Sequence, residues 1–389
     1  MKRSFVLLLS LWAAVACSHA QAVRDLSPET RRDLLTYLKE HHQTPEDYVL
    51  STFKTHDVVF LGEWHRIRHD PILVQRLIPR LPGAGVYALG YEFARRVDQP
   101  LIDSLLNAPA YDEQLARHIV FKQFVHWGFQ EYVDIFKAAW ELNRTLPPGA
   151  RRFRILGLNN SPDWSFITSG ADRDKGEVMR KVWHGESEED WAKALIDEVL
   201  ARGEKALVYC GIHHAFTRYR QPIAVDGKFI RFGDVRVGNY IYEKISRRTF
   251  TIYLHAPWVN AEGYDAPDVL AADGVIDEIM QELPPEYQKA GFDLESTPFG
   301  KIPGETSLYK FGYKHFTLET IYDGYIIQGP LASYEGVTPI KDFVNEGNLA
   351  EARAQSPNPD FRDASVDEFF EGAVQDADVP RRLSTLKKL

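Results

Sequence analysis

The sequence predicts an α/β fold, with a mostly parallel central sheet, helices on both faces, and a site at the C-terminal ends of the strands. Three observations predict it. Short apolar runs rich in β-branched residues recur along the chain, as strands buried on both faces require. Segments with apolar residues at helical spacing alternate with them, which is the pattern of a sheet layered by helices. Polar residues capable of chemistry follow several of the runs directly, where open parallel sheets bind ligands.

The elements follow in order. Ser27-Pro28-Glu29 opens a helix running to about Glu40, with a capping serine and proline at the first helical position. The predicted strands are Val58–Gly62, Val86–Phe93, Phe153–Leu158, Ala206–Ile212, Thr251–His255 and Gly324–Gln328. Between them, Phe129–Asn143 places Tyr132, Ile135, Phe136, Ala139, Trp140 and Leu142 at helical spacing. Ser187–Arg202 has a capping serine, acids in its first turn, and Trp191, Leu195 and Val199 on one face. From about Tyr334 the texture turns polar and acid-rich, so residues 334–389 read as a peripheral extension with one helix near Val366–Ala373, and residues 23–333 as the α/β domain. There is no internal repeat and no low-complexity tract.

The first residues read as a secretory signal. Lys2 and Arg3 precede an apolar stretch, Phe5 to Ala16, which is shorter than the roughly 20 residues a bilayer span needs. Ala20-Gln21-Ala22 offers a cleavage site, giving residues 1–22 as the signal peptide. Ala14-Val15-Ala16-Cys17 offers the alternative of a lipidated Cys17 and membrane attachment as an outer-membrane lipoprotein. Either way the expected location is outside the cytoplasm, periplasmic or secreted. The net charge of −9 is dispersed, which argues against nucleic acid as a partner. The chain has two cysteines, and removal of the signal leaves Cys210 alone, so no internal disulfide is expected. Cys210 itself lies in an apolar run and reads as a buried thiol.

Three strand ends carry the chemistry. The first discharges through Gly62 into Glu63-Trp64-His65-Arg66, with His69-Asp70 just beyond. Glycine would allow a tight bend there, and a free imidazole can carry a proton or ligate a metal. The second ends at Glu92, a carboxylate between Tyr91 and Phe93, where apolar surroundings suit a general acid or base. Ion pairing with Arg95 or Arg96 is the simpler explanation for that acid. The fourth runs into Gly211-Ile212-His213-His214-Ala215. Alternation along an extended chain would send the two imidazoles to opposite sides, and His214 repeats the glycine-to-histidine spacing of Gly62 to His65. Any one polar strand end could simply meet water; three in one chain point to a site. Arg66, His69, His126 and Asn159 are the candidates for holding substrate. There is no G-x-S-x-G elbow, P-loop, G-x-G-x-x-G, H-E-x-x-H or cysteine pair for zinc.

At these residues the chain resembles the superfamily that joins erythromycin esterases, ChaN-type haem-binding lipoproteins and Tiki/TraB-type metalloproteases. The resemblance runs from about Val58 to Pro257. Leu61-Gly62-Glu63-Trp64-His65 matches the opening motif, Glu92 the second-strand acid, and Gly211-Ile212-His213-His214-Ala215 the late histidine motif. His69-Asp70-Pro71 matches the ChaN continuation. Phe129-Gln130-Glu131 to Asn143 and Arg236-Val237-Gly238-Asn239-Tyr240-Ile241 resemble esterase segments. The esterases space acid and histidine as Glu-x-x-His; Glu-x-His here leans towards ChaN.

Two functions are therefore expected from different classes. The first is a hydrolase of an ester, lactone or amide in a small-molecule or peptide substrate, with Glu63, His65, Glu92, His213 and His214 as the catalytic set. A divalent-metal version would use His65, Glu92 and His214 and keep a position open for water. The second is haem or iron uptake of the ChaN type, which the resemblance implies.

Overall fold

A computed structural model describes residues 25–225 and 227–386; the signal segment, with Cys17, lies outside the described residues. Among the described residues nine strands form: β1 (Val58–Glu63), β2 (Val86–Arg95), β3 (Arg154–Asn159), β4 (Lys205–Gly211), β5 (Pro222–Val225), β6 (Lys228–Phe232), β7 (Thr249–Leu254), β8 (Ala290–Asp293) and β9 (Gly324–Ile327). Seven make one sheet in the order β3-β2-β4-β1-β7-β9-β8, while β5 and β6 pair as a separate hairpin. Every pairing in the large sheet is parallel except β8 with β9. The predicted α/β class is what the chain adopts.

The apolar runs are continuous because both faces of the sheet are covered. In β1, Val58 and Phe60 enter one core with Val208 and Cys210, while Val59 and Leu61 enter the other with Leu207 and Tyr209. All six residues of β1 are buried. Each such side chain contributes roughly 1.5–3 kcal/mol of burial free energy. Helices grip the sheet through particular side chains. Asn143, near the end of the helix Gln130–Thr145, donates from Nδ2 to the Phe153 carbonyl and accepts from the Phe153 N–H, at 2.9 and 2.8 Å. That pair leads the chain into β3. Ser187 and Asp190 form a reciprocal capping box at the start of the helix Glu188–Glu198. This helix stops short of the predicted Arg202, because Val199 leaves helical geometry and Leu200–Arg202 tightens into a 3₁₀ turn.

The segment after Tyr334 is not peripheral in its first part. Val337 N–H donates to the Arg66 carbonyl, Arg68 N–H to the Glu335 carbonyl, and Ile340 N–H to the Gly128 carbonyl. Tyr334, Val337, Ile340, Phe343 and Val344 are buried. A side chain at Gly128 would meet the Phe343 ring at 2.5 Å, so glycine there is what lets the segment dock. The rest forms three helices, Leu349–Ala354, Val366–Asp376 and Val379–Leu383, where the sequence predicted one. No helix among the described residues is long and apolar enough to cross a membrane.

Candidate active site

The central strands β1, β2 and β4 end side by side and deliver Glu63, Glu92 and Gly211 to one edge of the sheet. Glu63 is buried, at 1% exposure, and its carboxylate is almost fully subscribed. Oε1 accepts from the Tyr132 hydroxyl at 2.6 Å and pairs with His65 Nδ1 at 2.7 Å. Oε2 accepts from the Tyr209 hydroxyl. Burial, followed by the Glu63 charge, pushes both phenols well above their usual range, so they remain donors. This arrangement orients the imidazole: Nδ1 faces the Glu63 carboxylate, and Nε2 has no hydrogen-bond partner among the described residues. The ring stands edge-on to Trp127 and Phe93, at 5.0 and 5.8 Å between centroids, and keeps a third of its side chain exposed.

Two glycines make room for this ring. A Cβ on Gly211 would lie 2.7 Å from His65 Cε1 and 2.9 Å from Nε2. A Cβ on Gly62 would lie 2.4 Å from Ile212 Cδ1 and 3.2 Å from the Ala215 Cβ. Neither glycine has a positive φ, so the expectation of a tight bend at Gly62 is corrected: both positions require space, not unusual backbone. The residue with left-handed backbone is Arg66, at φ 76°. Its N–H donates to the Tyr132 hydroxyl oxygen at 3.0 Å.

Glu92 is not neutralised by its neighbouring arginines. Arg95 grips Asp98 at 2.6 and 2.8 Å, and Arg96 approaches Asp190 at 3.7 Å. Instead, Glu92 Oε2 accepts from the Gly211 N–H at 2.6 Å, and Oε1 lies 3.5 Å from His214 Nε2. On its far side, His214 Nδ1 lies 3.0 Å from Glu188 Oε2, a contact off the hydrogen-bond axis and so chiefly ionic. Arg236 closes the chain at 2.6 Å from Glu188 Oε1. Burial pulls against the His214 proton, but Glu188 and Glu92 together outweigh it and raise the imidazole to about 9. His214 is thus an imidazolium at neutral pH, stacked on Trp191 at 4.9 Å.

His213 is turned away. Residues Ile212–Ala215 form one helical turn rather than an extended strand, so the two rings diverge by helical rotation and not by alternation. His213 Nε2 meets the Tyr309 hydroxyl at 2.7 Å, and burial, then the His214 charge, lowers the imidazole to about 3. The structure brings Glu63, His65, Glu92 and His214 together and leaves His213 outside.

The four predicted substrate holders divide. Arg66 lies over Trp127 at 4.7 Å and bonds Asp376 at 2.9 Å, so the C-terminal segment already occupies it. His126 is packed against Phe361 and Phe369, bonds Ser356 at 2.8 Å, and is lowered to about 4, chiefly by burial. His69 stands edge-on to Tyr334 at 4.3 Å and is lowered to about 3, again mostly by burial. Asn159 ends β3 beside Arg95, and its Oδ1 is buried without a hydrogen-bond partner among the described residues. Arg66 Nε and His69 Nε2 are likewise buried without a hydrogen-bond partner among the described residues, but Arg66 is tied to Asp376 and His69 is packed on Tyr334.

The metal set of His65, Glu92 and His214 is corrected. No group of three or more His, Cys, Asp or Glu side chains among the described residues is arranged to hold a metal ion. The chemistry explains why: both His214 nitrogens face carboxylates and hold protons, leaving no lone pair for a cation.

Sequence reasoning missed Tyr132, Tyr209, Glu188 and Arg236 as members of this cluster. Tyr132 and Tyr209 were counted as apolar positions, although a buried phenol needs a partner. Glu188 had the ordinary explanation of an acid in a helix's first turn.

Residues 49–161 match the family model described as "Haem-binding uptake, Tiki superfamily, ChaN", a span that contains Glu63, His65 and Glu92. The superfamily resemblance is borne out. Among solved structures, the chain is similar to ChaN of Campylobacter jejuni with cofacially bound haem, at 14% identity over 57% of this chain and 89% of that one, TM-score 0.38. It is also similar to a mutant of the erythromycin esterase EreC in its open conformation, at 10% identity over 74% and 96%, TM-score 0.47. A third is a succinoglycan biosynthesis protein, at 9% identity over 81% and 99%, TM-score 0.48. No curated protein matches the chain.

Proposed function

We propose that the chain is an exported hydrolase of an ester, lactone or amide bond, working through His65 as general base. The observation that carries this reading is the Glu63–His65 pair. A buried carboxylate, held by two tyrosines, orients an imidazole whose other nitrogen has no hydrogen-bond partner among the described residues and whose ring is a third exposed. His65 Nε2 takes a proton from water as its oxygen attacks the carbonyl carbon, and Glu63 stabilises the imidazolium that forms. The same proton then passes to the leaving alkoxide or amine, so the acid and alcohol (or amine) are the balanced products. The His214 imidazolium, tethered through Glu92, supplies positive charge at the edge of the site as negative charge develops on the substrate.

A panel of activated esters, lactones and peptides tests this. His65→Ala is expected to lose about 10²–10⁴-fold in kcat/KM while keeping the folded CD spectrum. Unchanged turnover in that variant removes His65 from the chemistry.

The family match over residues 49–161 favours a second reading, haem uptake. Here His65 would offer the axial nitrogen, and Trp127 and Phe93 the apolar contacts. Hemin titration of the mature protein reads this directly: a shifted Soret band lost in His65→Ala supports it, and an unperturbed band rejects it.

A further inference from the structure

A chiefly apolar cavity of about 510 Å³ lies beyond the C-terminal ends of β7 and β9, between the helices Val275–Gln281 and Val379–Leu383. Its size falls within the range of small-molecule sites. Met280, Ile327, Leu331 and Leu383 supply apolar wall, and Tyr334, His255 and Asp277 also face it. None of Glu63, His65, Glu92 or His214 lines it.

The polar end is built. Asp277 is 7% exposed, and its Oδ1 lies 3.1 Å from His255 Nε2. His255 Nδ1 meets the Tyr325 hydroxyl at 2.8 Å, and the His255 carbonyl accepts from the Tyr334 hydroxyl at 3.0 Å. His255 Nε2 thus occupies Asp277 Oδ1 and leaves the other carboxyl oxygen to be accounted for. Asp277 Oδ2 is buried with no hydrogen-bond partner among the described residues. A buried acceptor left unmade is costly, and such groups in native folds call for an explanation.

We propose that this cavity is a second binding site, for an amphiphile with an apolar body and a single hydrogen-bond-donating head, the head docking on Asp277 Oδ2. The walls select the body, and the lone acceptor selects the head. A donor such as an ammonium or hydroxyl satisfies Oδ2; a carboxylate head meets it oxygen to oxygen and is excluded. Leu383 and Leu386 place the C-terminal segment across the cavity, so a bound ligand also fastens that segment.

Isothermal titration of the mature protein with monomeric decylamine, decanoate and methyl octyl ketone tests the proposal without any turnover readout. Saturable binding of decylamine, and none of decanoate, is the expected result. Asp277→Asn keeps an oxygen for His255 and turns an N–H into the cavity. It should weaken decylamine at least about tenfold and admit the acceptor-headed ketone. Leu383→Trp, which fills the cavity and leaves Asp277 in place, should abolish binding of decylamine. No saturable decylamine binding, equal binding of decanoate, or an Asp277→Asn variant that binds decylamine unchanged overturns the proposal.

Discussion

Glu188→Gln is the sharpest perturbation of the electrostatic chain. In the folded protein His214 faces Glu188, Glu92, Arg236 and the neutral His213, and its imidazole is raised from 6.5 to about 9. At about 1.36 kcal/mol per pKa unit, that shift corresponds to stability on the order of 3 kcal/mol. Because the folded value lies above the unfolded one, the contribution is fully present below pH 6.5 and is lost as pH rises through about 9. Gln at 188 preserves shape and can still accept from the Val237 N–H, now at 3.0 Å, but removes the larger of the two charges holding the proton. Histidine-resolved NMR titration is the assay. The wild type should show one imidazole titrating near 9, and Glu188→Gln should bring that titration down by at least about one unit. Urea unfolding at pH 6 and pH 10 should show a wild-type loss that the variant largely lacks. A His214 that titrates near 6.5 in the wild type, or that does not move in Glu188→Gln, would refute the reasoning.

Two further outcomes follow from the same geometry. Asp70 is fully buried, and burial, then the Glu63 charge, holds its carboxyl well above the usual range against the hydrogen bond from Gln328. Its unfolded form ionises more readily, so it costs stability increasingly as pH rises above 3.8. Asp70→Asn should therefore raise Tm at pH 7 by roughly 1–2 °C, for a gain of about 1 kcal/mol, and change little near pH 3.5; an equal effect at both pH values would count against an ionisation cause. Gly211→Ala should displace the His65 ring, costing about 1–3 kcal/mol of stability and about 10²-fold or more in hydrolysis. Gly176→Ala, where a Cβ meets nothing within 4 Å, is the matched control, and identical behaviour of the two variants would remove the steric argument.

The parts of the fold legible in the sequence are those whose burial is two-sided. β1, β2, β4 and β7 announce themselves because nearly every residue of each run is buried and most are apolar or small. β5, β6 and β8 do not: β8 is only Ala-Gly-Phe-Asp, and the hairpin exposes Val225, Phe229 and Ile230, so neither shows a clean period. The candidate site was legible where a strand ended in acid or imidazole. It was illegible where the partner came from a distant element with an ordinary explanation of its own, as with Glu188 at a helix start and Tyr209 inside an apolar run. Gly62 and Gly211 were noticed, but their reason was tertiary: the atoms they avoid belong to Ile212 and His65.

The docking of residues 334–343 has a consequence for how the protein is made. Arg68 and Glu335 pair across 267 positions of sequence, and the backbone bonds beside them hold the loop that carries His65. Closing so long a loop is entropically expensive and must precede the contacts that reward it. On the ribosome, the sheet's first strands can be complete while the Arg66 turn still lacks its cover. The loop that carries His65 therefore gains its cover only after this distant segment has been made, so the site's geometry is among the last parts of the chain to be fixed.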